Sequence, residues 1–242
     1  MALKLFVDFD GTVTTTDVGD AFFLAFGGPV CTQIVRDYRE ERISARECFD
    51  REAAAIGRLP LTEAEAFVAG QGVDPGFPSF VRFCRENGIG LQIVSDGLDF
   101  YITRILALHG VGDVPVCSNR LIVSPADADG RAGIAVEYPF QDAECTRCAC
   151  CKRNILVTGA GDEDIIGYVG EGYSDRCAAR YADIVFAKDE LQAFCQEENI
   201  SYFEYRTFHD VTARLRELIA RKRLRKRRSA QLRRNELFAR EP

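Results

Sequence analysis

Two hydrophobic patterns alternate along the chain: short unbroken apolar runs, and longer stretches with helical spacing. Leu3, Leu5, Phe6 and Val7 form a run of strand length, and comparable runs recur over 89–95, 114–117, 165–169, 184–187 and 202–205. Between them the spacing predicts helices over 79–87, 98–109, 175–181, 189–198 and 210–222, with Gly88 closing the first as a left-handed cap. Strand, turn and helix repeating in this order describe an α/β fold with a doubly wound, mostly parallel sheet. Two stretches break the repetition. Residues 17–25, 30–39, 44–56 and 62–69 carry helical periodicity one after another, which reads as a helical cap inserted after the first strand; the TEAE sequence from Thr62 is expected to cap its last helix. Residues 121–123 and 134–136 flank Asp129 and Gly130 and predict a β-hairpin. The expected division is a catalytic core of 1–16 and 76–210, a cap of 17–75 joined through the Gly/Pro-rich 70–78, and a terminal helix with a basic tail over 211–242. Residues 138–153 read as loop and 154–160 as helix or strand.

Composition narrows the class. The 242 residues are 47% hydrophobic and 28% charged, as in a globular domain with a sizeable core. No apolar run approaches the ~20 residues a bilayer span requires, and Lys4 and Asp8 interrupt anything resembling a leader, so a cytoplasmic location is expected. Cys31, Cys48, Cys84, Cys117, Cys177 and Cys195 are scattered singly and are expected as reduced, buried thiols. Cys145, Cys148, Cys150 and Cys151 crowd one short segment. Four sulfurs from one short segment do not readily form a zinc tetrahedron, so a loop of reduced thiols shaping the approach to Lys152 is favoured over the alternative of a structural zinc.

Net charge is −6, yet residues 221–234 carry nine basic side chains and no acid, so subtracting nine leaves −15 for the rest. Such a tail attracts phosphates of nucleic acid or of an acidic membrane surface. It lacks the interleaved aromatics that stack on bases, and a solvated helical extension is the favoured reading.

The candidate chemistry begins where the first strand ends. Asp8 and Asp10 follow an apolar run and precede Gly11, whose conformational freedom lets the chain turn and bring both carboxylates to one crevice. Like charges packed at a strand end repel unless a cation or a shared proton intervenes, so the pair implies metal or proton-transfer chemistry. Ser95, Asp96 and Gly97 close the second strand, and Glu171 and Asp175 follow the strand over 165–169. Ligands of such folds bind outside the carboxyl ends of the strands, so these groups and Lys152 are expected around one site. Carboxylates that attack phosphorus and shuttle a proton, with cations to offset phosphoryl charge, are what phosphoryl transfer requires. Mg²⁺ suits this oxygen-rich set. Taken singly the groups say less: Ser95 alone is an ordinary strand-end residue, Lys152 alone a surface charge, and Glu171 and Asp175 turn residues. His109 and His209 fall at helix ends and are expected there as caps or surface groups.

The DFDGTV sequence from Asp8 with Ser95, Lys152 and the EGYSD sequence from Glu171 resembles the four motifs of the haloacid dehalogenase superfamily across roughly residues 3–205. The resemblance implies a Rossmann-like core and a Mg²⁺-dependent phosphatase acting on a small-molecule phosphate ester. Carried over by position, it makes Asp8 the nucleophile and Asp10 the general acid/base. Ser95 then binds the phosphoryl group with Asp96 and Gly97 beside it, Lys152 neutralises nucleophile and phosphate, and Asp8, Asp10 (through its backbone carbonyl), Glu171 and Asp175 hold the metal. Glu171 departs from the aspartate usual at its position, which puts the strength of metal binding in doubt. The SDGLDFYI, CACCK and EGYSDRCAARYAD stretches look like the branch containing phosphoserine, phosphocholine and phosphoethanolamine phosphatases. They look nearest its methionine-salvage type, which acts on 2-hydroxy-3-keto-5-methylthiopentenyl-1-phosphate. Asp96, standing where phosphoserine phosphatases usually carry glycine, argues against an anionic leaving group. A non-catalytic binding protein on the same fold, using its basic tail, is the alternative. Oligomeric state is not legible.

Overall fold

The protein is described by a computed structural model covering residues 2–142, 145 and 147–238. Residues 143, 144 and 146 of the expected loop and the last four of the tail therefore lie outside the described residues. The elements in chain order are β1 (Leu3–Val7), α1 (Val18–Gly27), α2 (Val30–Arg39), α3 (Ala45–Ile56), β2 (Arg58–Pro60), α4 (Leu61–Ala69), α5 (Phe77–Glu86), β3 (Gly90–Leu98), α6 (Asp99–Leu108), β4 (Val116–Val123) and β5 (Arg131–Glu137). They are followed by α7 (Lys152–Thr158), β6 (Ile165–Gly170), α8 (Arg176–Tyr181), β7 (Ile184–Ala187), α9 (Asp189–Glu197), β8 (Phe203–Glu204), α10 (Phe208–Ala220) and α11 (Arg228–Phe238).

One sheet runs in the order β2-β5-β4-β3-β1-β6-β7-β8. The six strands from β4 to β8 pair in parallel, whereas β5 meets both β4 and β2 antiparallel. The alternation along each central strand builds two cores. Leu5, Val7, Ile93, Val169 and Phe186 pack on one face with Phe80, Tyr101 and Phe208 of the helices there. Phe6, Val94, Tyr168 and Val185 pack on the other with Leu156, Ala178 and Leu191. A sheet covered by helices on both faces is the expected doubly wound α/β architecture. Successive strands leave β1 first toward β3 and later toward β6, and this switch opens a crevice at the carboxyl end of β1.

Several local expectations need correction. The third apolar run is the start of a longer strand: β4 pairs with β3 through Cys117 and Asn119, then continues as the first arm of the hairpin from Arg120. The helical block contains a strand that was not expected, β2, whose three residues pair with 131–133 and join the block to the sheet edge. Its last helix starts at Leu61, one residue before the expected cap Thr62. Lys152 is not in a loop but opens α7. The basic tail is a solvated helical extension only in part: Arg221, Lys222, Arg223, Arg225, Arg228 and Arg233 are exposed, but the segment also docks on the core. After α10 the chain turns back and α11 packs on α8, with Arg234 and the Arg227 amide both bonded to the buried Asp183. Among the described residues, no helix is long and apolar enough to cross a membrane.

Candidate active site

Asp8 follows the last residue of β1 and is 6% exposed. Its amide is anchored to the Val169 carbonyl at 2.9 Å, and its Oδ1 accepts from Lys152 Nζ at 2.6 Å. Lys152, only 2% exposed, is fixed from three sides, donating also to Asp175 Oδ1 at 2.6 Å and to Ser174 Oγ at 2.9 Å. Burial works against its charge, but Asp175 and Asp8 outweigh that and hold the amine well above its ordinary value. A buried charge needs this degree of pairing to persist.

Asp175 is saturated. Besides Lys152 it accepts from the Tyr168 hydroxyl, and its Oδ2 takes the amides of Glu171 at 2.8 Å and Gly172 at 3.0 Å. One lysine shared between two carboxylates neutralises only one. Because Asp175 has three further donors, the uncompensated charge falls on Asp8, whose carboxyl is pushed up to about 7 by burial first and the Asp175 charge second. A cation beside Asp8 would balance that charge.

Asp10 reaches the same space because the chain turns at Gly11, which sits at φ 68°. Its Oδ1 accepts from the Gly19 amide at 3.1 Å and its Oδ2 from the Tyr101 hydroxyl at 3.0 Å. Burial, then the charges of Asp17 and Asp8, hold its carboxyl well above the ordinary range. Ser95 accepts from the Gly97 amide at 2.9 Å and lies 3.4 Å from Asp10 Oδ2. Gly97 has no room for a side chain: a Cβ there would meet Tyr101, Asp10 and Ser95 together.

Asp96 has a task that spacing does not reveal. Its Oδ1 accepts from the Cys150 amide at 2.7 Å and its carbonyl accepts from Asn119, so it ties the segment leading into Lys152 to the end of β3. Of the four clustered cysteines, Cys150 and Cys151 are buried, and Cys145 and Cys148 lie 3.9 Å apart, sulfur to sulfur. All ten cysteines are unbridged.

Asp8, Asp10, Ser95, Asp96, Gly97 and Glu171 line one cavity of about 140 Å³. Lys152 and Asp175 lie immediately beneath it. The helical block forms the opposite wall, with Asp20 and Phe23 of α1, Tyr38 and Arg39 of α2, and Phe49 and Glu52 of α3. The volume is comparable to the ~150 Å³ that holds a benzene-sized molecule, so the occupant is small. Tyr101, Tyr168, Asn119 and Ser174 were missed by sequence reasoning. Ser174, inside the EGYSD stretch, and Tyr101, inside SDGLDFYI, lay within motifs already singled out; Tyr168 and Asn119 carried no local signal.

The residues present fit a magnesium ion. The donors are oxygens, the cavity holds more acid than its lysine offsets, and Asp8 is left without a full counter-charge. Glu171 leans toward the Gly11 turn, its Oε1 passing 2.8 Å from where a Cβ on that glycine would stand. The extra methylene thus carries its carboxylate back to the loop that holds Asp10. Among the described residues, no three His, Cys, Asp or Glu side chains are gathered to enclose an ion by themselves. Magnesium does not require that, since it keeps several waters and commonly takes one or two carboxylates with the substrate phosphate.

Comparison with known proteins agrees with this geometry. A protein from Lysinibacillus sphaericus named 2-hydroxy-3-keto-5-methylthiopentenyl-1-phosphate phosphatase is 31% identical over 225 residues, covering 89% of this chain and 94% of the relative. One of the same name from Brevibacillus brevis is 31% identical over 212 residues, covering 86% and 93%. Among solved structures, a phospho-aspartyl intermediate analogue of phosphoserine phosphatase superposes with a TM-score of 0.67 at 20% identity, covering 90% of this chain and 98% of that one. The family model for haloacid dehalogenase-like hydrolases matches residues 5–180. The chain belongs to the haloacid dehalogenase-like hydrolase family and is a phosphoric monoester hydrolase.

Proposed function

We propose that the protein hydrolyses a small-molecule phosphomonoester, with Mg²⁺, through an aspartyl-phosphate on Asp8. The observation that carries this reading is the arrangement of Asp8 over Lys152 and Asp175, with a second carboxyl, that of Asp10, raised well above the ordinary range in the same cavity. Ionised Asp8 attacks phosphorus, and the bond from phosphorus to the leaving oxygen breaks. Asp10 gives its proton to that oxygen, then takes one from the water that attacks the aspartyl-phosphate. Tyr101 and the Gly19 amide hold the Asp10 carboxyl in position for both transfers. Lys152 and the Ser95 hydroxyl offset charge on the phosphoryl oxygens. Mg²⁺ bound by Asp8, the Asp10 carbonyl and Glu171 would supply further charge neutralisation, with Asp175 adding its charge alongside while its oxygens hold Lys152. Helices α1 to α4 act as a cap that excludes water and selects the leaving group.

The relatives' names suggest a hydroxyketone phosphate as substrate. The lining favours that over phosphoserine: Asp17, Asp20 and Asp96 repel a carboxylate on the leaving group, and Arg39, the cation among the lining residues, already pairs with Glu190 at 3.1 Å. Ten unbridged cysteines suit the reducing cytoplasm. The test is phosphate release from a panel of phosphomonoesters with Mg²⁺, comparing wild type with Asp8→Asn. Release by the wild type and its loss in the variant is expected; a variant that keeps wild-type turnover refutes the nucleophile.

A further inference from the structure

The cap wall holds one group for which the hydrolytic reading has no task. Glu52 lies on α3 one turn after Cys48 and is 3% exposed, yet it lines the same cavity as Asp8 and Asp10. Its Oε2 takes only a weak bond from the Cys48 thiol at 3.7 Å, and its buried Oε1 has no partner among the described residues. A buried oxygen left in this state costs about 1–3 kcal/mol unless something in the cavity satisfies it. A leucine at this position would avoid that cost, so the acid is kept against the interest of stability. Its charged neighbours, Asp20 and Asp17 from the start of α1, are acids too. Burial first, and then the Asp20 charge, push the carboxyl up to about 8, so it is protonated at neutral pH. A protonated carboxyl both donates and accepts, which matches a hydroxyl or carbonyl oxygen, and the charges of Asp20 and Asp17 beside it disfavour an anion there.

We propose that Glu52 is a specificity-determining residue of this site, hydrogen-bonding a neutral hydroxyl or carbonyl oxygen on the leaving group of the phosphomonoester. This rests on the hydrolytic reading above and deepens it. Phe23 and Phe49 line the cavity with Glu52, so the selected leaving group is a small, partly apolar alcohol with one polar oxygen placed away from the phosphate.

The experiment compares wild type, Glu52→Leu and Glu52→Gln on dihydroxyacetone phosphate, phenyl phosphate and phosphoethanolamine. Glu52→Leu is expected to raise KM for dihydroxyacetone phosphate about tenfold, equivalent to ~1.4 kcal/mol, with kcat little changed and KM for phenyl phosphate unaltered. Its Tm should rise, because the orphaned carboxyl is gone; a merely structural role would lower it. Glu52→Gln keeps a donor and an acceptor and should stay near wild type on all three substrates. Equal losses on dihydroxyacetone phosphate and phenyl phosphate, or a fall in Tm with leucine, overturn the assignment. So does a wild-type preference for phosphoethanolamine that Glu52→Gln abolishes, since that marks an ionised acid holding an amine. If the wild type releases phosphate from none of the three, the hydrolytic reading itself fails and the role of Glu52 falls with it.

Discussion

Replacing Lys152 by methionine tests the centre of the site. Methionine keeps most of the volume and the stem but removes the charge that Asp8 and Asp175 share. Nζ stands 2.6 Å from an oxygen of each, so those oxygens are at most twice that, about 5.2 Å, apart. At an effective dielectric of ~20, two unit charges at that separation repel by roughly 3 kcal/mol. Breaking a buried pair by removing one partner costs ~3–5 kcal/mol, a similar figure reached independently. For a chain of this size each kcal/mol moves Tm by ~2–4 °C, so a drop of roughly 10 °C is expected. The drop depends on pH. Asp8 already has a raised carboxyl value, and losing Lys152 raises it further. The cost is therefore absent where Asp8 is protonated in both folded and unfolded chains, below about pH 4, and grows as pH rises toward 8. Calorimetry in EDTA at pH 5.5 and pH 8 should show the larger deficit at pH 8. Phosphate release should fall ~10²–10³-fold, the usual effect of losing one preorganised donor. A variant that melts within about 2 °C of wild type at pH 8 and turns over within about tenfold would show that the lysine is not the partner on which these acids depend.

Three other outcomes follow from the same geometry. Asp8 and Glu171 are each pushed up to about 7 and Glu52 to about 8, chiefly by burial, so burying them costs least at acid pH, and the cost grows as pH rises from about 4, where the unfolded carboxyls ionise, to 7 to 8. Melting in EDTA should fall from pH 5.5 to 8.5, and Mg²⁺ should restore stability mainly at the upper end; an equal Mg²⁺ effect at pH 5.5 counts against carboxylate ligation. Gly97→Ala places a methyl group among Tyr101, Asp10 and Ser95, and misplacing the proton-transferring carboxyl by ~1 Å should cost about 10²-fold in kcat, read in steady-state assays. Ending the chain after Lys226 removes Arg227 and α11 and strips Asp183 of both arginine contacts, so Tm should fall by several degrees, roughly 2–4 °C per kcal/mol lost. An unchanged Tm with lost binding to RNA or acidic vesicles would instead make the tail a docking element.

The legible parts of this molecule are those whose signal is local. An apolar run ending in Asp8 and Asp10 before a glycine announces its own geometry, and so do Ser95 and the EGYSD turn. Lys152 was harder to place, because α7 is seven residues long and its N-cap makes no side-chain hydrogen bond. Strand β2 is three residues, too short for alternation to show. The basic segment looks like a solvated charge run until Asp183 is seen to receive it, 44 residues from Arg227. Tyr101 and Tyr168 are core aromatics by pattern, and only tertiary structure turns their hydroxyls onto Asp10 and Asp175. Glu52 reads as an ordinary helical acid, since no periodicity distinguishes a buried wall from a wet one.

The short strand β2 constrains how a substrate enters. Its pairing with β5 is reinforced by Tyr138, whose hydroxyl donates its one proton to Asp50 Oδ1 at 2.7 Å and lies 3.0 Å from the Arg46 carbonyl, both on α3. The roof of the chamber is thus riveted to the hairpin, so a strain applied to one is passed to the other. The step of β4 between Asn119 and Arg120, where its pairing passes from β3 to β5, links that pair to the sheet that carries Asp8. Lengthening or stiffening the turn around Gly130 should accordingly retune access to a chamber that it never touches.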